Sequence, residues 1–247
     1  MEGKNKIFSI AFEGPNRAGK GMQIELLKGE LEKAGIPCVS IRGEGYRQGS
    51  GVSSADPESD VWKKISTELN NVENGTDWNQ WEKASYRLAR ELIVWRDRIL
   101  SEKIDKVLAP FGVLLVDRSL ISKAILKSLQ TETPPEKIFS NEELYPPDLQ
   151  HRKKITVDMV LPDLILELSA PKDVLLARLT TEEPNYEFKR NNIENKYDQY
   201  MQAKEHLSKE IRERIVSVDS SGSPDEVYEN VLGEIKAKFP DLEILEK

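Results

Sequence analysis

The stretch Phe12-Glu13-Gly14-Pro15-Asn16-Arg17-Ala18-Gly19-Lys20-Gly21 constrains what this chain can fold into more than any other segment. An apolar run of strand type, IFSIAF at 7–12, leads into it, and a helical repeat of Ile24, Leu27, Leu31 and Ala34 leaves it. Strand, glycine-rich turn and helix, in that order, are the context that gives the pattern G-x-x-x-x-G-K its meaning. Gly14 and Gly19 permit the tight turn. Successive backbone N–H groups and the positive end of the helix dipole then converge on one point, toward which Lys20 extends. A nucleoside triphosphate is the natural occupant of such a loop. The strict pattern continues with Ser or Thr, whose hydroxyl ligates Mg²⁺, whereas this chain has Gly21 followed by Met22. Taken alone, the loop also admits a glycine turn that binds nothing, or a degenerate nucleotide site.

Four more β-rich runs follow, CVSI at 38–41, GVLLVD at 112–117, LILEL at 164–168 and IVSVD at 215–219, separated by helical patterns. They are apolar on both phases, as in strands covered by helices on both faces. The expectation is an α/β chain with a three-layer P-loop NTPase fold, a five-stranded parallel sheet flanked by helices. Gly35 and Pro37 stop the first helix. A second helical block over 80–108 carries Leu88, Leu92, Trp95, Ile99, Ile104 and Leu108 on an apolar stripe. Ser223-Pro224-Asp225-Glu226 has a capping serine, a proline at the first helical position and a glutamate three residues past the cap. The helix it opens is expected to run to about Phe239. Residues 43–60 and 130–148 read as long surface loops, and 180–200 as a lid-like charged segment. With no internal repeat and no linker in view, residues 1–247 are taken as one domain.

The chain of 247 residues carries 36 basic and 43 acidic side chains, a net charge of −7. That balance excludes bulk nucleic acid as a partner, because non-specific polyanion binding needs an excess of positive charge. Phosphate binding must come from local clusters of Arg, Lys and backbone N–H groups. The single Cys38 cannot form an internal disulfide, and no stretch approaches the ~20 apolar residues of a membrane span. The N-terminal MEGKNKIFSIAFEG lacks the apolar centre of a secretory signal. A cytoplasmic chain with no membrane partner is expected.

FEGPNRAGKGMQ at 12–23, the triplet Asp117-Arg118-Ser119 after the third strand and LPDLILELSAPKDVLLARL at 161–179 together resemble the thymidylate kinases, P-loop nucleoside monophosphate kinases. Val218-Asp219 before the capped helix is similar to that family's adenine-side loop. The resemblance implies ATP and Mg²⁺ as cofactors and small-molecule nucleotides as substrates. It implies cofactor binding by Gly14, Pro15, Asn16, Arg17, Ala18, Gly19, Lys20, Gly21 and Met22. Arg17 places this chain with the members that carry a basic residue inside the phosphate loop, an arginine finger supplied in cis. Gly19-Lys20-Gly21 is also what adenylate kinases carry, which makes a glycine there compatible with Mg-nucleotide chemistry.

An acceptor monophosphate brought beside the γ-phosphate needs further cations, because the two anions repel. Arg118, Arg96 and Arg42 are the candidates. Arg118 closes the third strand at the edge where α/β sheets bind ligands, and Arg96 precedes it at the spacing similar kinases show. Arg98 is the nearby decoy, since two helical residues differ by about 200° of rotation. Arg42 ends the second strand, and Glu44 beyond it could orient an arginine or a sugar hydroxyl. Asp117 is read as the Mg²⁺ partner, with a strand-end turn cap as the bland alternative. Arg17, Lys20 and Arg118 are the catalytic set.

Asn16 stands where the loop-arginine members commonly have Asp, and Leu92, one helical turn before Arg96, stands where the family often stacks a Phe on thymine. Trp95, Tyr86 and Trp81 are possible substitutes, though aromatics at helical spacing are usually core. Lys189 and Arg190 are the lid cations. Two other readings stay open. Asp117-Arg118-Ser119 also looks like the Glu-Arg-Ser element of deoxynucleoside kinases, whose hydroxyl acceptor needs a base, for which Glu44 is the candidate. The chain is otherwise a nucleotide-binding regulator in which Gly21, Met22, Asn16 and Leu92 record lost catalysis. Similar kinases form two-fold dimers, and the 80–108 helix could supply the face of a homodimer.

Overall fold

Branched aliphatic runs without helical spacing form the strands, as expected from the sequence pattern. The computed structural model describes residues 6–42, 108, 111–119, 162–203, 207, 209–240 and 242. The strands are β1 (Lys6–Glu13), β2 (Cys38–Arg42), β3 (Phe111–Asp117), β4 (Leu164–Ser169) and β5 (Ile215–Asp219), each at an expected position and extended by a residue or two where the ladder continues. Helix α1 (Lys20–Lys33) follows β1, α2 (Lys172–Ala177) and α3 (Tyr186–Ala203) follow β4, α4 (Lys209–Arg212) precedes β5, and α5 (Pro224–Lys238) follows it. The expected features at 43–60, 80–108 and 130–148, with Glu44, Trp81, Tyr86, Leu92, Trp95, Arg96 and Arg98, lie outside the described residues, apart from the buried Leu108.

All four strand pairings are parallel, in the order β2-β3-β1-β4-β5. The chain leaves central β1 through α1 and passes over β3 to reach β2, while β4 lies on the other side of β1. Connections from β1 and its neighbours therefore diverge at the carboxyl end of β1, the kind of crevice in which open α/β sheets hold ligands.

Phe8, Ile10 and Phe12 of β1, Val113 and Leu115 of β3 and Leu164, Leu166 and Leu168 of β4 form one cluster with Ile24, Leu27 and Leu31 of α1 and Val227, Val231 and Ile235 of α5. Burying each of these side chains contributes about 1.5–3 kcal/mol against chain entropy. The intervening residues Ala11, Leu114, Val116 and Ile165 are buried as well, so the inner strands β1, β3 and β4 are covered on both faces as expected, whereas the edge strands β2 and β5 are partly exposed. Helices α1 and α5 lie against each other, and Gln23 Nε2 donates to Pro224 O at 3.0 Å.

One residue of the expected α1 stripe does not belong to it. Ala34 is the exposed C-cap, because Gly35 at φ 70° turns the chain away. Gly35 N donates to Glu32 O and Ile36 N to Leu31 O, at 3.0 and 2.9 Å, the two bonds of a Schellman ending. Helix α5 begins as its sequence implies: Ser223 and Glu226 exchange the reciprocal bonds of a capping box with Pro224 at the first helical position. Among the described residues no helix is long and apolar enough to cross a membrane.

Candidate functional site

The loop between β1 and α1 departs from the sheet through Gly14 at φ 127°. A Cβ at that position would lie 2.1 Å from the backbone oxygen of Leu168 on β4, so no other residue fits beside that strand. Gly19, at φ 89°, caps α1 without a side-chain hydrogen bond, leaving the first helical N–H groups facing the crevice with the helix dipole behind them. Lys20, only 7% exposed, donates through Nζ to Gly14 O at 3.0 Å and Pro15 O at 2.8 Å and so clasps the loop. Gly21 and Met22 are exposed on the first turn of α1.

The tip of β3 is latched to this loop at two points. Arg118 N continues the β1–β3 ladder by donating to Phe12 O at 3.1 Å, and Arg118 Nη2 donates to Asn16 Oδ1 at 2.8 Å. Glu13 Oε1, on a side chain buried at the end of β1, accepts from both the backbone N and Oγ of buried Ser119, each at 2.7 Å. Arg118 has φ 62° and Arg17 has φ 70°, so two non-glycine residues adopt the left-handed conformation on opposite sides of the crevice. The register sets Asp117 beside Phe12 on one side and beside Arg42, the last residue of β2, on the other.

A third layer of contacts comes from the segment after β4. Arg178, the C-cap of α2, donates through Nη1 to Arg17 O at 3.1 Å and through Nη2 to Ser220 O at 2.6 Å, with Ser221 O and Gly222 O at 3.4 and 3.3 Å. The phosphate loop and the turn after β5 are thus held by one guanidinium. Beyond Arg178 the chain makes turns before α3, the helix of the expected lid segment. Glu183 there pairs with the Arg17 guanidinium and, at 3.0 Å, with Lys189 Nζ. Arg190 instead pairs with Glu194 one turn along α3. Of the two expected lid cations, Lys189 is joined to the phosphate loop through Glu183, and Arg190 makes a helix-surface pair.

These elements enclose a cavity of about 540 Å³, lined by Asn16 through Gln23 of the loop and α1, by Asp117 and Arg118, by Arg178, and by Ser220, Gly222, Pro224 and Val227. That volume is in the range of small-molecule sites, ~300–1,000 Å³. Among the described residues its wall carries the cations Arg17, Lys20, Arg118 and Arg178 and one carboxylate, that of Asp117. Local charge is therefore strongly positive in a chain of net charge −7. A hard divalent ion arriving on a polyphosphate needs only one or two carboxylates from the protein, and Asp117 offers one on the wall.

Of the expected cofactor residues, Asn16 through Met22 line the cavity, whereas Gly14 and Pro15 are buried beneath it and present carbonyls to Lys20. Sequence reasoning quoted Glu13, Ser119 and Arg178 only as parts of motifs, with no role in the site, and missed Glu183. Glu13 carried a signal, a charged residue ending an apolar strand, as did Arg178 after the apolar VLLA of α2. Glu183 sits in an acidic, turn-rich stretch where nothing distinguishes it from a solvated carboxylate.

No protein-family model matches the sequence, and no curated protein matches it. Among solved structures, that of thymidylate kinase from Candida albicans is similar over 98% of this chain and 96% of that one, with a TM-score of 0.55 and 18% sequence identity. The fold is the α/β fold of the P-loop NTPases, with an all-parallel five-stranded sheet. At this identity the likeness is one of backbone architecture, extending over nearly the full length of both chains.

Proposed function

We propose that this chain is a nucleoside monophosphate kinase that transfers the γ-phosphoryl group of Mg·ATP to dTMP or a related deoxynucleoside monophosphate. The observation that carries this reading is the convergence of Arg17, Lys20, Arg118 and Arg178, drawn from three separate segments, on one cavity at the carboxyl end of β1. Transfer asks the protein chiefly to hold donor and acceptor in line and to neutralise charge. The acceptor phosphate oxygen attacks the γ-phosphorus, the bond from that phosphorus to the β–γ bridging oxygen breaks, and ADP leaves with the electron pair. No base is required, because a phosphate dianion is already a nucleophile. In this reading the loop N–H groups and Lys20 hold the β and γ phosphates, Arg17 meets charge on the transferring group, and Arg118 draws the acceptor phosphate in, with Arg42 and Arg96 as further acceptor-side cations. Asp117 would hold Mg²⁺, which would supply charge neutralisation for the polyphosphate.

The Candida albicans neighbour is described as having broad substrate specificity. Asn16 and Leu92, in place of the usual Asp and Phe, are consistent with an acceptor range wider than dTMP. A homodimer in the cytoplasm remains the expected setting, and sedimentation velocity tests the dimer. The function itself is tested by supplying Mg·ATP with a panel of monophosphates and of nucleosides and following ADP. Production stimulated most by a pyrimidine deoxynucleoside monophosphate supports the reading. Stimulation by nucleosides alone makes the chain a deoxynucleoside kinase, and ATP binding with no stimulation makes it a regulator.

A further inference from the structure

Glu183 Oε2 is the meeting point of two cations. The Arg17 guanidinium, inside the phosphate loop, and Lys189 Nζ, on the first turn of α3, both pair with this single oxygen. The other oxygen, Oε1, accepts from Thr180 N at 3.2 Å and lies 3.4 Å from Thr180 Oγ1. The Glu183 side chain is 17% exposed, and those of Arg17 and Lys189 about twice that, 33% and 32%. An acidic oxygen held between a guanidinium and an ammonium at the rim of a phosphate cradle is chemically equivalent to a phosphate oxygen in the same place. The backbone of Arg17 is held separately from its side chain, its oxygen accepting from Arg178 Nη1 at 3.1 Å. The side chain of Arg17 can therefore exchange partners without loosening the loop.

We propose that Glu183 is an internal stand-in for the terminal phosphate, and that an incoming triphosphate displaces it from Arg17 and Lys189, making Lys189 a phosphate-binding residue of the lid. This rests on the kinase reading above and adds to it a further cation, from the lid, and a built-in competitor. A triphosphate carries more charge than a carboxylate and reaches Arg17 with the helix dipole and Lys20 behind it, so the exchange favours nucleotide. Glu183 then remains tethered by Thr180 and is free to turn toward solvent. A nucleoside diphosphate, which lacks the γ group, leaves the Arg17–Glu183–Lys189 cluster in place. Product ADP is thus spared the two contacts that ATP gains, which hastens its release.

Calorimetric titration of ATP and of ADP at fixed Mg²⁺ tests this. Glu183→Gln keeps an acceptor for Thr180 and removes the competing charge. It should bind ATP about fivefold more tightly than wild type and ADP within twofold of it, and the gain should shrink in an Arg17→Ala background, where only the Lys189 competition is left to relieve. Lys189→Ala should weaken ATP about fivefold and leave ADP within twofold. ATP affinity that is unchanged or weaker in Glu183→Gln, or an equal shift for ATP and ADP in either variant, would overturn the proposal and leave Glu183 a structural tether. Because Lys189→Ala acts independently, a Glu183→Gln protein that failed to fold would leave it to decide the matter. Wild-type protein that bound no ATP would overturn the kinase reading instead, and the inference with it.

Discussion

Arg118 Nη2 donates to Asn16 Oδ1 at 2.8 Å, joining the tip of β3 to the middle of the phosphate loop. The amide is a neutral acceptor, so this bond orients the guanidinium without itself adding a countercharge. An aspartate here would form an ion pair and reduce the positive potential of the cavity.

Asn16→Ala is therefore expected to lower kcat/KM for the monophosphate acceptor by about tenfold, mainly by letting Arg118 wander. Asn16→Asp should raise KM for the acceptor and keep the fold. Steady-state kinetics of both variants check this, and identical parameters for Asn16→Ala and wild type would remove the bond from the mechanism.

Lys20 offers a sharper outcome. Its ammonium, at the start of α1, is buried against the Gly14 and Pro15 carbonyls of the loop. Lys20→Ala should reduce turnover by at least ~10²-fold, in line with loss of one preorganised electrostatic contact. Thermal unfolding measured alongside separates lost chemistry from lost structure.

The Glu13–Ser119 latch is a stability element under the site. Glu13→Ala leaves two buried donors of Ser119 without this acceptor and should cost about 1–3 kcal/mol, lowering Tm by roughly 2–4 °C per kcal/mol for a chain of this size. Calorimetry gives the number directly. The mixed change Ser119→Ala should cost less, since the backbone N–H keeps its partner.

The turn that Arg178 grips carries its own pH dependence. Hydrogen bonds from Ser221 Oγ at 2.6 Å and Ser221 N at 2.9 Å hold the Asp219 carboxyl below the usual carboxylate range, and the Ser223 backbone and hydroxyl do the same for Glu226. Folded values below unfolded ones mean that the stabilisation is complete above the ordinary carboxylate range and is lost as pH falls through the folded values. Urea midpoints should therefore drop on acidification between about pH 5 and pH 3, and less steeply in Asp219→Asn with Glu226→Gln.

What the sequence made legible were features whose cause is local. Strand runs apolar on both phases, the Ser223-Pro224-Asp225-Glu226 cap and the Gly35 stop each follow from a few neighbouring residues, and each is found where the pattern puts it. The phosphate loop was legible for the same reason, being built from consecutive residues. The latches were not. Glu13 with Ser119, Arg178 with Arg17 and Ser220, and Glu183 with Arg17 join positions far apart in the chain, and only the strand order brings them together. The strand-end Arg118 is an intermediate case. Its place at the carboxyl edge was readable, but its orientation depends on Asn16 and on a backbone conformation that no pattern announces.

That conformation has an energetic meaning. Left-handed backbone at an arginine costs of order 1–3 kcal/mol, and Arg17 and Arg118 both adopt it. The cost is met during folding, by the Phe12 carbonyl that fixes Arg118 and by the Arg178 clamp on Arg17. A ligand arriving at the crevice meets two guanidinium-bearing residues whose backbones are already preorganised, so little of its binding energy is consumed in bending the chain and more remains for the transition state.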